Sequence, residues 1–142
     1  MIRCLHEIRA NFNRAMLLAL GAMAFAAEVA AADSAAFIMY HRFGESAYPS
    51  TNITLAQFDA HLAELKSGPY TVLPVEEILA ALRAGKTLPD RTVGITIDDA
   101  YLSVFTQAWP RLKKAGLPFT LFVATKPIDD RLKNYMSWDQ IR

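Results

Sequence analysis

The sequence predicts an α/β fold built around a parallel sheet. Short apolar segments rich in β-branched residues alternate with segments whose apolar residues recur at helical intervals. The strand segments are nearly continuous apolar runs, which is typical of parallel strands covered on both faces. Hydrophobic residues make up 53% of the 142 residues, enough for one core. We therefore expect a single α/β domain that follows an N-terminal segment of different character.

Four segments are predicted strands: Phe37 to Tyr40, Thr71 to Leu73, Thr92 to Ile97 and Phe119 to Ala124. The third is the clearest, because it is rich in the β-branched residues that favour strands. It continues directly into Asp98 and Asp99. Two adjacent carboxylates are thus expected at the carboxyl end of a buried strand.

Helical spacing predicts three helices, between Thr54 and Gly68, from Val75 to Ala84 and from about Leu102 to Ala115. Thr54 and Gln57 have the spacing of a capping box, which favours a helix start. Pro110 is expected to begin the second half of the third helix or to kink it. Ser137 and Gln140 repeat the capping-box spacing and predict a further helix start.

The first 32 residues resemble a secretory signal peptide. Three arginines precede an apolar stretch from Ala15 to Ala27, and small residues at 30–32 offer a cleavage site. We therefore assign 1–32 to a signal peptide and 33–142 to an exported domain, in the periplasm, outside the cell or at the cell envelope. The alternative is an uncleaved membrane anchor, although Glu28 ends the apolar run short of the roughly 20 residues that span a bilayer.

Charge and cysteine content exclude some partners. The formal net charge is +1, and three of the basic residues lie in the predicted signal peptide, so no basic surface for nucleic acid is expected. The single cysteine, Cys4, also lies in that segment. The exported domain would then have no thiol, which is compatible with an oxidising compartment.

Asp98 and Asp99 are the main candidates for a functional site. In parallel α/β folds, ligands bind at the carboxyl ends of the strands. Adjacent carboxylates on the turn after a strand can point in different directions, one toward a metal and one toward a water molecule. The alternative is a structural role in which either aspartate caps the following helix.

The stretch from Gly94 to Tyr101 resembles the first motif of the polysaccharide deacetylase family, also called the NodB homology or carbohydrate esterase family 4 group, usually written TFDDG. The strand before His41 and the segments 109–116 and 117–123 also match family positions. The resemblance implies a partial (β/α) barrel of the distorted, TIM-like NodB type, truncated after about four β/α units. Residues 33–142 would be its N-terminal portion.

The resemblance also implies a chemistry. Asp98 corresponds to the general base of the family, and Asp99 to a carboxylate ligand of a divalent metal, most often zinc. Such a metal lowers the pKa of bound water and polarises a carbonyl, while the neighbouring carboxylate takes the proton of the water. The implied protein is a metal-dependent hydrolase that removes N-acetyl groups from an amino-sugar polysaccharide, its substrate and partner.

The sequence departs from the family pattern at the motif and beyond it. Ala100 replaces the usual glycine and Ile97 the usual phenylalanine. The added methyl group of Ala100 is expected to narrow the site. The second family motif, HxxxH, does not occur in the sequence, so the histidine ligands would have to lie beyond Arg142. A catalytically inactive deacetylase-like fragment or a glycan-binding module is therefore the alternative.

Two further residues are candidates for lining the site or binding substrate. His41 directly follows the first strand, so its ring could face the same edge of the sheet as Asp98. Tyr101 could stack on a sugar ring, as could Trp138, or either could pack in the core or at its rim. For His61, on the first helix, a surface role is expected.

Overall fold

The computed structural model describes residues 31–142. The prediction of a signal peptide over 1–32 concerns residues that lie almost wholly outside this range, so it stays a prediction. Ala31–Ala32 form a short strand, β1, that pairs antiparallel with β6, Leu88–Pro89. Across residues 31–142, none of the helices has the length and apolar character needed to cross a membrane.

The described residues form eight short strands and five α-helices. The remaining strands are β2 Ala36–Tyr40, β3 Arg42–Phe43, β4 Asn52–Ile53, β5 Thr71–Val72, β7 Thr92–Asp98 and β8 Thr120–Phe122. The helices are α1 Leu55–Ser67, α2 Val75–Arg83, α3 Trp109–Ala115, α4 Thr125–Asp129 and α5 Trp138–Ile141. All four predicted strands and all three predicted helices are present, the last strand being shorter than expected.

Strand β7 lies at the centre of a four-stranded parallel sheet. Strand β2 pairs with it along one edge, from Ala36 opposite Val93 to Tyr40 opposite Ile97. On the other edge, β5 pairs with the beginning of β7 and β8 with its end, where Phe122 lies opposite Asp98. The prediction of an α/β fold with a parallel sheet is confirmed.

The predicted partial barrel goes further than the observed sheet. In a regular (β/α) barrel each strand pairs with those before and after it in the chain. Here β2 pairs with β7 although β5 lies between them in sequence. Within residues 31–142 the sheet is open, and the barrel remains an expectation.

Helix α1 begins as the capping-box spacing predicts. The backbone N–H of Gln57 donates to the Thr54 hydroxyl at 3.2 Å, and the Thr54 N–H donates to the Gln57 side-chain oxygen at 3.2 Å. Phe58, Leu62 and Leu65 form the buried face of the helix. The helix ends at Gly68, also as predicted.

The third predicted helix is continuous in sequence, but its hydrogen-bond pattern changes along its length. A π-helical segment, Val104–Ala108, precedes α3, and the Trp109 N–H donates to the Val104 carbonyl five residues earlier. Pro110 follows immediately and has no N–H to donate. The wider π turn accommodates the proline without a break, which refines the expected kink.

The core lies between the sheet and helices α1 and α3. Its fully buried side chains include Phe58 from α1, Ile95 and Ile97 from β7, and Leu112 from α3. Residues 92–97 of β7 are all buried, as expected for a central parallel strand. The core thus fixes β7 over its whole length up to Asp98, which is partly exposed.

Replacing the helix cap Thr54→Ala should lower the free energy of unfolding by about 1 kcal/mol, because it leaves a first-turn N–H of α1 without its partner. Chemical denaturation of the two proteins measures the change. Thr54→Ser is the control, since serine keeps the accepting hydroxyl. A serine variant as unstable as the alanine variant would show that the cap does not account for the loss.

Candidate active site

Asp98 and Asp99 lie where the backbone leaves β7 through a tight left-handed turn. Asp98 is the last residue of the strand, and Asp99 and Ala100 have φ values of 70° and 58°. Aspartate tolerates this region better than most residues, whereas alanine pays roughly 1–2 kcal/mol for it. The change in backbone direction gives the two adjacent carboxylates different surroundings.

The methyl group of Ala100 does not have the consequence expected from the sequence. Ala100 is completely buried and belongs to the hydrophobic core. The methyl group therefore packs inward instead of narrowing the site. The usual glycine of the family suits this position because glycine adopts a positive φ without strain.

The segment 134–136 holds the far side of this turn. The Leu102 N–H donates to the Asn134 carbonyl at 2.8 Å, and the Met136 N–H donates to the Ala100 carbonyl at 2.9 Å. Between these bonds, Tyr101 and Tyr135 form an isolated antiparallel bridge, with ring centroids 4.8 Å apart. The turn after Asp99 is thus tied to a region more than thirty residues later in the chain.

The structure brings His41 and Asp98 together. His41 Nε2 lies 3.9 Å from Asp98 Oδ2, and the side chains are 24% and 30% exposed. The strand register explains the contact. Tyr40 of β2 lies opposite Ile97 of β7, so His41, which follows Tyr40, lies beside Asp98, which follows Ile97. At this distance the pair interacts electrostatically when the histidine is protonated, without a direct hydrogen bond.

Arg42 is a residue of the site that sequence reasoning missed. It is only 7% exposed, and its Nη1 donates to Glu45 Oε2 at 2.7 Å. Its guanidinium carbon lies 3.8 Å from the ring centroid of Tyr48 and 3.4 Å from that of Tyr101. We call Arg42, Glu45, Tyr48 and Tyr101 the Arg42 stack. The only sequence signal was a charged residue two positions after an apolar strand.

The Arg42 stack compensates the cost of burying a charge. Burial by itself disfavours the guanidinium cation, but Glu45 and Tyr101 more than offset this and raise the pKa of Arg42 above its ordinary value. Burial raises the pKa of Tyr101 to about 12, although the Arg42 cation acts in the opposite direction. A cation over an aromatic face gains about 0.5–1 kcal/mol at an exposed site and about 2 kcal/mol when desolvated, so the two tyrosine faces help to stabilise the buried cation.

His61 has the surface position that the sequence predicted, but it also has a partner. It is exposed, and its Nδ1 shares a hydrogen bond of 2.9 Å with the hydroxyl of Tyr40. Tyr40 is 6% exposed, and burial raises its pKa to about 12. The imidazole of His61 thus gives the buried hydroxyl of Tyr40 a hydrogen-bond partner at the surface of α1.

A cleft of about 460 Å³ lies beside the carboxyl end of β2. Its lining includes imidazoles, amides, hydroxyl groups and one guanidinium, from His41, His61, Asn52, Gln57, Ser50, Thr51 and Arg42. His41 therefore faces this cleft and also approaches Asp98. We call it the His41 cleft.

Trp138 has a structural contact in the folded chain. Its indole Nε1 donates to Asp129 Oδ1 at 2.9 Å, and its ring packs against the hydrophobic core. Trp138 also lies at the start of α5, after the Ser137 cap that the sequence predicted. Packing at the rim of the core is the role that these contacts support.

The described residues do not by themselves fit a metal centre. Within residues 31–142, no three or more histidine, cysteine, aspartate or glutamate side chains are grouped so that they could hold a metal ion. A catalytic zinc ion generally takes three protein ligands. Asp99 can contribute one carboxylate ligand, but the side chains of residues 31–142 do not complete a set of three ligands.

Comparison with known proteins gives matches to polysaccharide deacetylases. Residues 85–142, which include Asp98 and Asp99, match the family model described as polysaccharide deacetylase. The Bacillus subtilis (strain 168) protein YxkH, which is assigned to the polysaccharide deacetylases, is 30% identical over 105 residues; the match covers 74% of this chain and 36% of that protein.

Two further relatives carry more specific names. The poly-beta-1,6-N-acetyl-D-glucosamine N-deacetylase of Staphylococcus aureus (strain N315) is 31% identical over 90 residues, covering 63% of this chain and 30% of that enzyme. The solved structure of IcaB from Ammonifex degensii superposes with a TM-score of 0.68 at 30% identity, covering 77% of this chain and 47% of that one.

The motif, the parallel sheet and these matches support one class: in its aspartate motif, sequence and fold this chain is similar to the polysaccharide deacetylases. The relatives that it resembles are named as polysaccharide deacetylases, one of them as a poly-beta-1,6-N-acetyl-D-glucosamine N-deacetylase. The chain spans about a third of the length of these curated relatives, 36% and 30%.

Replacing Ala100→Gly should change the free energy of unfolding by less than about 1 kcal/mol, because relief of the left-handed backbone offsets the loss of a buried methyl group. Ala108→Gly is the matched control, since Ala108 is also fully buried but has an ordinary helical φ of −74°. The control should lose about 1–2 kcal/mol. Equal losses on denaturation would show that the turn is unstrained.

Stability should fall as the pH rises from about 10 to about 12, because the buried Tyr40 keeps its proton in the folded chain while the unfolded chain releases it near pH 10. The folded state binds more protons in this window, so raising the pH favours unfolding. Denaturation at a series of alkaline pH values measures the slope. Tyr40→Phe should reduce the slope, and an unchanged slope would contradict the assignment to Tyr40.

Proposed function

We propose that this protein contributes the aspartate pair of a polysaccharide N-deacetylase active site, with an N-acetylglucosamine polymer as the substrate. The observation that carries the proposal is the position of Asp98 and Asp99 at the carboxyl end of β7, inside the region that matches the family. Parallel α/β folds bind their ligands at that end of the sheet. The names of the relatives support the choice of an N-acetylated glycan.

Asp98 is the proposed general base. Its carboxylate is 30% exposed, so water can reach it, and β7 holds its backbone rigidly. It accepts a proton from a water molecule whose oxygen attacks the acetamide carbonyl carbon. When the carbon–nitrogen bond breaks, the nitrogen leaves with a proton as a free amine on the sugar, and the acetyl group leaves as acetate.

Asp99 is the proposed carboxylate ligand of a divalent metal, with zinc as the first choice. Because residues 31–142 contain no group of three or more metal-ligating side chains, the other ligands would have to come from outside this range. The similarity to polysaccharide deacetylases supports metal dependence. Isothermal titration with Zn²⁺ would measure how much affinity Asp99 provides alone.

His41 and Tyr101 are proposed to line the site in different ways. His41 lies at the cleft and near Asp98, where it can contact a sugar or orient the carboxylate. Tyr101 has one ring face covered by the guanidinium of Arg42, so that face is closed to a sugar. Tyr101 therefore lines the site mainly by fixing the turn.

An exported location is proposed from the N-terminal sequence. A basic segment followed by an apolar run and small residues has the organisation of a secretory signal. Membrane association is expected only if that segment is retained. N-terminal sequencing of the protein from its native host would show whether the chain is cut after Ala32.

A glycan-binding module without catalysis is the second candidate. Two observations favour it: the metal-ligand set within residues 31–142 is incomplete, and the lining of the His41 cleft includes amides, imidazoles, hydroxyl groups and a guanidinium. Such side chains bind sugar hydroxyl groups without any reaction. Glycan binding without acetate release, in the presence of Zn²⁺, would support this function over the enzyme.

Asp98→Asn should lower kcat for acetate release from N-acetylglucosamine oligomers by about 10²–10⁴-fold, because the amide cannot take up the proton. The assay uses the protein purified from its native host, with and without added Zn²⁺. Zinc binding and KM should change little, since Asp98 is not the proposed ligand.

Asp90→Asn is the control for this experiment. Asp90 lies just before β7, at the opposite end of the strand, and its carboxylate is exposed near Arg91. The control should keep the full rate. An Asp98→Asn protein with unchanged kcat would exclude Asp98 as the base, and no acetate release from any native preparation would exclude the deacetylase.

A further inference from the structure

The buried cation beside the aspartate turn has no role in the chemistry proposed above. Arg42 is 7% exposed and lies between the rings of Tyr48 and Tyr101. Burying a guanidinium cation has a desolvation cost, and the chemistry proposed above does not require this cation. A structural role that compensates the cost of burying Arg42 is therefore expected.

The Arg42 stack joins segments that are distant in sequence. Arg42 belongs to β3, directly after His41, and Glu45 and Tyr48 lie in the loop between β3 and β4. Tyr101 is the first residue after the left-handed pair, Asp99 and Ala100. The stack therefore connects the strand end that carries His41 with the turn that carries the carboxylates.

The turn needs such support. Asp99 and Ala100 both hold a positive φ, which the backbone abandons unless surrounding contacts maintain it. On one side, the segment 134–136 provides two backbone hydrogen bonds. On the other side, the guanidinium carbon of Arg42 lies 3.4 Å from the ring centroid of Tyr101, and the Phe43 N–H donates to the Ser103 hydroxyl at 3.2 Å.

We propose that Arg42 is a positioning residue of the candidate site: its planar guanidinium, oriented by Glu45 and stacked between Tyr48 and Tyr101, holds the Asp99–Ala100 turn in its left-handed conformation. Planarity is the essential property, because a flat cation can contact two aromatic faces at once while a lysine ammonium cannot. The catalytic consequence rests on the proposed deacetylase function, whereas the conformational consequence does not.

Hydrogen exchange tests the conformational consequence on the full chain. In Arg42→Met, the amides of Leu102 and Met136 should exchange about tenfold faster or more, since their bonds close the turn. The amides of Ile95 and Ile97, in the centre of β7, should keep their rates. Arg42→Lys should behave like Arg42→Met, because it keeps the charge opposite Glu45 but loses the planar stack.

Two further variants keep the test decisive. Arg111→Met removes a surface cation paired with Asp59 at 3.0 Å, away from the turn, and should leave all four exchange rates unchanged. Tyr48→Leu removes one face of the stack at a residue that is 41% exposed, so the chain should fold even if Arg42→Met does not. It should also accelerate exchange at Leu102 and Met136.

Three outcomes would overturn the proposal: unchanged exchange at Leu102 and Met136, equal acceleration along β7, or full rescue by Arg42→Lys. The first shows that the stack does not hold the turn, the second that Arg42 only stabilises the fold, and the third that charge suffices. In an active preparation, Arg42→Met and Arg42→Lys should lower kcat about tenfold with KM within about twofold. Absence of activity would defeat the proposed function and leave the exchange result standing.

Discussion

Parallel pairing along both edges of β7 determines where each candidate residue lies. Strand β2 fixes one edge in a register that places Tyr40 opposite Ile97, and β8 fixes the other at Asp98. Since parallel strands end at the same edge of a sheet, His41 and Asp98 meet without a dedicated loop. A shift of β2 by one residue would exchange its faces and remove His41 from the carboxylates.

The end of β7 combines a rigid strand with a strained turn. Buried residues along 92–97 make the strand difficult to move, whereas Asp99 and Ala100 adopt dihedral angles that few residues accept. Contacts from both sides therefore have to stabilise the turn. The backbone bonds of segment 134–136 and the Arg42 stack are among the contacts that the fold provides.

The charges near the site are arranged so that one compensates another. Arg42 is buried beside Glu45 and two aromatic rings, and this arrangement raises its pKa in spite of burial. Asp98 and Asp99 remain partly exposed, so water can solvate them. One fixed cation thus lies close to the turn, and solvated carboxylates lie at its surface.

Much of the fold was predictable from local sequence patterns. The cap at Thr54, the stop at Gly68 and the β-branched run 92–97 depend on neighbouring residues, so each appeared where expected. The π-helical segment before Pro110 was harder to predict, because a kink and a π turn are both ways for a helix to accommodate the N–H that proline lacks. The order of strands, with β2 beside β7, depends on long-range pairing that periodicity does not encode.

The candidate site was likewise predictable only in part from the sequence. The sequence by itself determined the family motif and the position of Asp98 and Asp99 at a strand end, because residue type and spacing carry that information. Only the tertiary structure decided that His41 approaches Asp98, that the Ala100 methyl group faces the core and that Arg42 is buried between two tyrosines. These features depend on strand register and on backbone dihedral angles, which join residues far apart in the chain.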